Sequence, residues 1–124
     1  MGIIKHFSDI IAWQKAKTIT LSLYKILQTN RDYSYNDQIK RASVSIMNNI
    51  AEGFGRYNPR EFKQYLSIAR GSTMEVVSMI FLGRELGYFD EQQKLQLLQL
   101  TNDIDNILKA LIIKVIDRTK QSKT

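Results

Sequence analysis

The sequence predicts an all-α protein, folded as an antiparallel up-down-up-down four-helix bundle. Apolar residues recur at intervals of three and four along most of the chain, which is the spacing of one buried helix face. No segment has the alternation of a half-buried strand, and the 124 residues contain a single proline. Because short turns separate four long amphipathic segments, antiparallel packing closes them most economically. The length is that of one domain, residues 1–124.

The first helix is predicted over residues 8–28. Ser8 can cap its first turn, and Asp9 suits the positive end of the helix dipole. The polar segment over residues 29–36, which contains two tyrosines, is predicted to be a loop. The apolar stripe of this helix is Ile10, Trp13, Ala16, Leu23, Ile26 and Leu27.

The second and third helices are separated by a clear stop and a clear start. The second is predicted over residues 37–53, because glycine at position 53 readily ends a helix. The third is predicted over residues 59–86, with Asn58 as its cap and Pro59 in its first turn. Their stripes are Ile39, Ala42, Ile46 and Ile50, and then Phe62, Leu66, Ala69, Val76 and Ile80.

The fourth helix is predicted over residues 91–117, after Gly87 has ended the third. Asp90 can cap it, and Gln93 stands at the spacing that allows a bond back to the cap. The lysine-rich end over residues 114–123 complements the negative C-terminal pole of this helix. Its stripe is Leu97, Leu100, Ile104, Ile107, Leu111 and Val115.

Positive charge is concentrated in the first half of the chain and in its tail. The formal net charge is +6, with +3 in each of residues 1–36, 37–70 and 114–124 and −3 in residues 71–113. Such asymmetry favours polyanionic partners, RNA or DNA first and acidic proteins second. An equally open alternative is that the excess charge only keeps a small protein in solution.

The residue types that carry most protein chemistry are scarce. The absence of cysteine excludes disulfides and thiolate metal sites, and a reducing cytoplasm fits best. The one histidine, His6, lacks the Glu-x-x-His spacing of a di-iron bundle, so we expect no enzyme activity, no metal and no cofactor. The longest uncharged run, residues 42–51, is too short and polar to cross a membrane. Residues 1–9 lack the apolar core of an export signal.

Basic and aromatic residues flank the predicted turn between the second and third helices. Guanidinium groups suit phosphates and ring faces suit unstacked bases, so this mixture favours RNA. The interleaved aromatic residues are Tyr57, Phe62 and Tyr65. Aromatic residues at helical spacing are also common in cores, and cations are common on a merely solvated face. The candidate nucleic-acid contacts are Lys40, Arg41, Arg56, Arg60, Lys63 and Arg70.

Several strings of the chain together resemble one known family. In order and spacing, over residues 7–116, they resemble the four-helix-bundle proteins encoded within intervening sequences of bacterial 23S ribosomal RNA genes. The most specific part is Asn-Ile-Ala-Glu-Gly, at residues 49–53. The strings are Phe7-x5-Trp13-Gln14-x-Ala16, Gln38-x2-Arg41-Ala42-x2-Ser45-Ile46-x2-Asn49-Ile50-Ala51-Glu52-Gly53, Phe62-x2-Tyr65-Leu66-x-Ile68-Ala69-x-Gly71-Ser72-x2-Glu75 and Leu86-Gly87-Tyr88.

The resemblance implies an up-down bundle that assembles into a ring-like homopentamer. It also implies a likeness in fold to the accessory proteins of diversity-generating retroelements, which bind nucleic acid and a reverse transcriptase through a basic surface. Both properties are expectations for this chain.

Within these strings, polar residues stand at helical spacing beside apolar ones. Such groups survive burial by hydrogen bonding one another, which can fix one register or one oligomer interface. Glu75 lies between Met74 and Val76 and is expected to face a partner helix and pair with an arginine or an amide. Arg41 could join this network or contact a ligand. The predicted structural polar network comprises Ser45, Asn49, Glu52, Ser72 and Glu75.

Sequence and resemblance together predict a non-catalytic homo-oligomer, expected to be a pentamer, that binds RNA or DNA through a basic surface. The alternative is a structural adaptor that binds another protein through the bundle surface or the pore of the oligomer. Binding that weakens steeply with salt would indicate the first, and a stoichiometric protein partner would indicate the second.

Overall fold

The computed structural model describes the backbone of residues 4–122 and the side chains of residues 4–115. Its elements are four α-helices, which follow a short 3-10 turn at Phe7–Asp9, and these described residues form no strand. The predicted all-α fold class is therefore confirmed, as is the four-helix bundle. The helices are α1 (Ile11–Ile26), α2 (Tyr33–Gly55), α3 (Pro59–Glu85) and α4 (Glu91–Ser122).

Contacts between α2 and α3 show that these helices are antiparallel. The hydroxyl oxygen of Ser45 in α2 lies 2.8 Å from that of Ser72 in α3. Tyr35, which stands earlier in α2, donates its hydroxyl to the carbonyl oxygen of Met79, which stands later in α3. The earlier residue of α2 therefore contacts the later residue of α3. Only antiparallel helices allow this order of contacts.

Ion pairs give the same result for α3 and α4 and close the bundle. A later residue of α3 pairs with an earlier residue of α4, so these two helices also run in opposite directions. A further pair joins α1 to α4, the first helix to the last. The pairs are Arg70–Asp105 and Arg84–Glu91 between α3 and α4, and Lys15–Asp103 between α1 and α4.

The apolar stripes predicted from the sequence meet in a shared core. Every predicted stripe residue of α2 is buried, with at most 5% of its surface exposed. In α4, Leu100, Ile107 and Leu111 are half-buried at the edge of the core, whereas Leu108, outside the predicted stripe, is fully buried. Each fully buried leucine or isoleucine contributes about 1.5–3 kcal/mol relative to an exposed one, so these stripes hold the bundle together.

The start of α1 differs from the prediction. Ser8 lies in the 3-10 turn rather than at the helix cap, and its backbone N–H donates to Nδ1 of His6. α1 begins at Ile11, after an extended Ile10 that makes no side-chain cap and is 2% exposed. Burial of Ile10 therefore determines where the chain enters the helix and outweighs the capping preference of serine. The helix also ends slightly before the predicted residue, at Ile26.

α2 begins at Tyr33, before its predicted start, so the prediction of a loop over residues 29–36 is wrong for the second half of that segment. Asp32 caps the helix, since its Oδ1 accepts the N–H of Tyr35 at 3.1 Å. Tyr35 is 5% exposed, and its hydroxyl donates to the carbonyl of Met79 at 2.5 Å. This contact with a distant residue stabilises a first turn that the local sequence does not reveal.

Gly53 is not the helix end that the sequence predicts, because α2 continues to Gly55. Gly53 is buried where α3 approaches the backbone of α2. A Cβ atom at this position would lie 2.6 Å from Cβ of Tyr65 and 3.0 Å from a ring carbon of Phe62. Glycine is therefore needed here for close packing of the two helices, and not for a turn.

The predicted caps of α3 and α4 are confirmed. Asn58 Oδ1 accepts the N–H of Glu61 at 3.1 Å, and Pro59 is the first residue of α3. Asp90 and Gln93 bond reciprocally: the side chain of each accepts the backbone N–H of the other, at 2.7 and 2.9 Å. Local capping chemistry alone therefore determines where these two helices begin.

The ends of α3 and α4 differ slightly from the prediction. α3 ends at Glu85, and Gly87 adopts the left-handed φ of 80° that stops it. α4 continues to Ser122, beyond its predicted end at residue 117. Of the lysine-rich end predicted over residues 114–123, residue 123 and the side chains from residue 116 onwards lie outside the described residues.

We expect Gly53→Ala to lower the free energy of unfolding by about 1–3 kcal/mol, because the added methyl group overlaps Tyr65. Gly55→Ala is the matched control, since a Cβ there meets nothing within 4 Å and the substitution should be neutral or stabilising by up to about 1 kcal/mol. Urea unfolding followed by circular dichroism measures both. Equal midpoints for the two variants would contradict the close packing at Gly53.

A second prediction concerns Asp32, whose two carboxylate oxygens accept hydrogen bonds from Tyr88 and Tyr35. The bond from the Tyr88 hydroxyl, followed by that from the Tyr35 N–H, lowers the pKa of Asp32 below its ordinary value. A carboxyl whose pKa is lowered on folding stabilises the protein above its unfolded pKa of about 3.9 and loses this contribution as the pH falls through the folded pKa.

Asp32→Asn keeps an oxygen that can cap α2 but removes the charge, so the variant should melt below the wild type at pH 7. The difference in melting temperature should begin to shrink as the pH falls below about 4, where the carboxyl of the unfolded wild type takes up a proton, and should vanish below the lowered pKa of the folded state. Thermal unfolding from pH 7 to pH 3 measures this difference. Asp37→Asn, at an exposed carboxylate that accepts no hydrogen bond from the described residues, is the control at neutral pH. A difference that stays constant with pH would show that the charge of Asp32 does not stabilise the fold.

Candidate nucleic-acid interface

Three of the predicted cations lie together where α2 turns into α3. Residues 56–58 connect the two helices, and Arg56, Arg60 and Lys63 are all exposed. The turn is short because Tyr57 adopts a left-handed φ of 54° and Asn58 is extended before the first residue of α3. Helix packing at one end and the Asn58 cap at the other thus bring these three positive charges to one end of the bundle.

Arg56 is held in place by residues on both helices. Its Nη2 donates to Oε1 of Glu52 at 2.7 Å and to the hydroxyl of Tyr65 at 3.0 Å. The guanidinium also lies 5.5 Å from the centre of the Tyr65 ring. The hydrogen bonds, first with Glu52 and then with Tyr65, raise the pKa of Arg56 above its ordinary value. Arg56 is therefore oriented, but part of its charge is balanced by Glu52.

Arg60 and Lys63 differ from Arg56 because their side chains make no hydrogen bond or ion pair with the described residues. They are three residues apart in the first turns of α3, a spacing that places two side chains next to each other on a helix. Both are exposed. Their charge is therefore fully available to a ligand.

Lys40 and Arg41 lie in the first half of α2, about 22–24 Å along the helix from Arg56 at 1.5 Å per residue. The amino group of Lys40 is 4.6 Å from the centre of the Tyr24 ring on α1, which is a cation–π contact. Arg41 is exposed on the outer ridge of α2, between a groove shared with α1 and a groove shared with α3. These two cations are separate from those at the turn.

Arg70 lies on the side of α3 that faces α4. Its Nε is 2.8 Å from Oδ1 of Asp105, which is 8% exposed and also pairs with Lys109 at 3.1 Å. Burial acts to raise the pKa of Asp105, but the hydrogen bonds from Arg70 and Lys109 outweigh it and leave that pKa below its ordinary value. Arg70 therefore compensates a buried carboxylate, and the six predicted cations do not form one surface.

Three of the five predicted network residues are joined by hydrogen bonds, one across from α2 to α3 and the others within α2. The hydroxyl oxygens of Ser45 and Ser72 are 2.8 Å apart. Asn49 Nδ2 donates to the carbonyl oxygen of Ser45 at 2.8 Å and to its hydroxyl oxygen at 3.0 Å. Glu52 lies outside this group and pairs with Arg56.

Glu75 does not meet the expectation of a paired residue facing a partner helix within this chain. It is exposed on α3, and its carboxylate makes no hydrogen bond or ion pair with the described residues. It lines the same open groove between α2 and α3 as Arg41, which is also unpaired there. The physical reason is position: Glu75 lies at the outer edge of the α2–α3 contact, where solvent replaces a partner.

The aromatic residues at the turn differ strongly in exposure. Phe62 and Tyr65 are half-buried, and the Phe62 ring packs edge-on against Phe54 with centroids 6.2 Å apart. Tyr57, in contrast, is 87% exposed. Periodicity places Phe62 in the apolar stripe of α3 and leaves Tyr57 between the two predicted helices. The left-handed backbone of Tyr57 and the openness of its ring are set by the turn and are seen only in the structure.

Other kinds of site have little support in the described part of the chain. No three histidine, aspartate or glutamate side chains among the described residues lie close enough to share a metal ion. His6 hydrogen bonds to a neighbouring residue, with its Nδ1 2.6 Å from the hydroxyl oxygen of Ser8. None of the described helices combines the length and the apolar character needed to span a membrane.

Known proteins share this fold. The model of the family described as 23S rRNA-intervening sequence protein matches residues 8–110 of the chain. The chain is also similar to the crystal structure of a protein of unknown function from the S23 ribosomal protein family of Bacteroides thetaiotaomicron VPI-5482. The two are 22% identical with a TM-score of 0.76, over 82% of this chain and 97% of that chain, which is a likeness of fold. No curated protein sequence matches the chain significantly.

The family match covers α1, α2 and α3 and most of α4, so it spans the turn that carries Arg56, Arg60 and Lys63. It includes the α2–α3 contact through Ser45 and Ser72 as well. The family match therefore covers the helices that form the candidate site. This chain belongs to the family of 23S rRNA-intervening sequence proteins.

Proposed function

We propose that this chain acts by binding and not by catalysis, as a homo-oligomer that holds RNA or DNA through the end of the bundle at the α2–α3 turn. The observation that carries the proposal is the pair of exposed cations Arg60 and Lys63, which no described residue neutralises. Arg56 adds a third positive charge that is already oriented by Glu52 and Tyr65. Such groups contact phosphates and make binding strong at low salt without reading the base sequence.

A described residue of α4 adds positive charge near this end. Val115 lines one cleft together with Tyr57 and Phe62, so α4 passes beside the α2–α3 turn. Lys114, the residue before it, is exposed, and its side chain makes no hydrogen bond or ion pair with the described residues. Two stretches that are distant in sequence therefore contribute positive charge here, which raises the local concentration of a polyanion.

RNA is the first polyanion to test. The name of the family refers to 23S rRNA, and arginine beside exposed aromatic rings suits single-stranded RNA. The related Bacteroides structure is described as a protein of unknown function, so it supports the fold of this proposal and not the ligand.

We expect the triple variant Arg56→Ala, Arg60→Ala, Lys63→Ala to bind a single-stranded RNA of about 20 nucleotides roughly 10- to 100-fold more weakly than the wild type. The slope of log affinity against log salt should become shallower by about 2, since each lost phosphate contact on a single strand contributes about 0.7. Fluorescence anisotropy between low and moderate salt measures both quantities.

The matched control for this triple variant removes the same charge elsewhere, through Lys17→Ala, Lys25→Ala and Arg31→Ala on α1 and the loop after it. It should lose much less affinity. Equal losses would show that only net charge matters, and binding that does not respond to salt would overturn the proposal. The adaptor alternative would be supported instead if the variant lacking Arg56, Arg60 and Lys63 still recovered a stoichiometric protein partner from nuclease-treated extract.

Self-association is proposed from the outer face of α3 and the groove beside it. Ile68, Glu75 and Leu82 are spaced seven residues apart and so lie along one line of the helix. Ile68 and Leu82 are 52% and 49% exposed, on either side of the unpaired Glu75. Arg41 and Glu75, of opposite charge and both unpaired in the described chain, line the neighbouring groove. Apolar residues beside unpaired opposite charges suit contact with a second copy.

Light scattering at micromolar concentration should give a mass several times the 14.4 kDa of the chain. The double variant Ile68→Asp, Leu82→Asp should reduce that mass towards one chain, because it places charges in the proposed contact. Ile11→Asp with Leu21→Asp, at similarly exposed residues of α1, is the control and should leave the mass unchanged. A wild-type mass of one chain would refute the oligomer, and equal effects of the two double variants would refute this face.

A further inference from the structure

Tyr57 combines two properties that the fold by itself does not explain. Its φ of 54° lies in the left-handed region, where a side chain larger than glycine is unfavourable. Its side chain is also 87% exposed, the highest exposure among the large apolar and aromatic residues described. Glycine would relieve the backbone at this position with little loss of buried surface. The ring is therefore not maintained by packing in the core.

Tyr65, the other tyrosine beside this turn, accepts a hydrogen bond from Arg56, whereas Tyr57 has almost no partner within the chain. Tyr35 and Tyr88, at the opposite end of the bundle, donate hydrogen bonds to partners there. The hydroxyl of Tyr57 makes no hydrogen bond with a described residue, and its ring has one loose neighbour, Phe54, at a centroid distance of 6.3 Å. One face of this ring is consequently open to a ligand.

A cleft of about 230 Å³ opens beside Tyr57, with mostly apolar walls. Phe54, Phe62 and Pro59 contribute to its lining. Asn58 stands at its edge, with Oδ1 used by the N–H of Glu61 and Nδ2 without a partner among the described residues. A flat group with apolar faces and a polar, hydrogen-bonding edge fits these walls, and an unpaired nucleobase has this character.

The positive charges next to the cleft favour a flat group that is attached to phosphates. Arg60 and Lys63 follow within the next six residues of the chain and are unpaired in the described structure. They suit phosphates of the strand that carries the base. In a duplex the bases are stacked and paired inside, so a ring on a turn cannot reach their faces.

We propose that Tyr57 is a stacking platform for an unpaired base of a single nucleic-acid strand, with Arg60 and Lys63 on the adjoining phosphates; this inference rests on the proposed function. It names the class of ligand as single-stranded RNA or DNA, and it assigns the ligand's orientation at the α2–α3 turn. The base lies against Tyr57 at the mouth of the cleft, and the backbone of the strand passes over the start of α3.

The test compares Tyr57→Gly, Tyr57→Ala and Tyr57→Phe on a mixed-sequence single-stranded RNA of about 20 nucleotides, the DNA of the same sequence and the RNA duplex. Loss of one stacked base should weaken single-strand binding about 5- to 100-fold in the glycine and alanine variants, with the salt slope unchanged. Tyr57→Phe should bind as the wild type does, and duplex binding should change less than about 2-fold in all variants.

Tyr57→Gly separates a role in binding from a role in folding. It relieves the left-handed backbone, so its melting temperature should equal or exceed that of the wild type while its single-strand affinity falls. Tyr33→Ala is the matched control, because Tyr33 is 69% exposed at the other end of the bundle. Its affinity for each of the three probes should stay within about 2-fold of the wild-type value.

Fluorescence can detect stacking on residue 57 directly. In the Trp13→Phe background, which removes the one native tryptophan, Tyr57→Trp places an indole at the platform. Single-stranded RNA or DNA should quench its fluorescence, and the duplex should not.

The outcomes separate this inference from the function on which it rests. If the wild type binds RNA with steep salt dependence but Tyr57→Gly binds equally well, the stacking platform is wrong and the basic surface stands. The same conclusion follows if Tyr33→Ala loses as much affinity. Absence of binding to all three probes by the wild type would overturn both, and a difference between the RNA and DNA strands would show which strand is the ligand.

Discussion

The close approach of α2 to α3 at Gly53 is the constraint on which the candidate site depends. A glycine lets the Tyr65 side chain of α3 lie directly against the α2 backbone. The Tyr65 hydroxyl can therefore accept a hydrogen bond from Arg56 at the end of α2. Further along the same contact, Ser45 and Ser72 bond across the two helices. With both helices fixed in this way, the connection is only three residues long, and Tyr57 takes the left-handed backbone that closes it.

The cations of this chain fall into two groups because buried carboxylates need partners. Asp105 is almost fully buried, and an unpaired charge there would be very unfavourable, so Arg70 and Lys109 compensate it. Arg60 and Lys63 face no such carboxylate and keep their charge for solvent or a ligand. The number of basic residues therefore overstates the positive surface that a polyanion can reach. The ion pairs in the structure show which cations remain available.

The fold of this chain tolerates wide differences in sequence. A bundle with 22% identity still has a TM-score of 0.76, because a bundle requires apolar stripes, caps and small residues at close contacts, and many sequences supply them. The strings that carry the family resemblance include Ser45, Gly53 and Ser72 at the α2–α3 contact. They therefore describe how two helices pack. The proposed function depends on what the adjoining turn exposes.

The sequence by itself determined the fold class, the core-facing stripes and the starts of α3 and α4, because these depend on periodicity and on bonds between residues at most four apart. Tertiary structure reinforced the start of α2, since the bond from Tyr35 to distant Met79 adds to the local Asp32 cap, and it defined the role of Gly53, since a neighbouring helix packs against it. It also decided which cations are paired and how open each aromatic ring at the turn is. Pairing and the degree of exposure depend on side chains that meet across helices, and periodicity alone does not determine them.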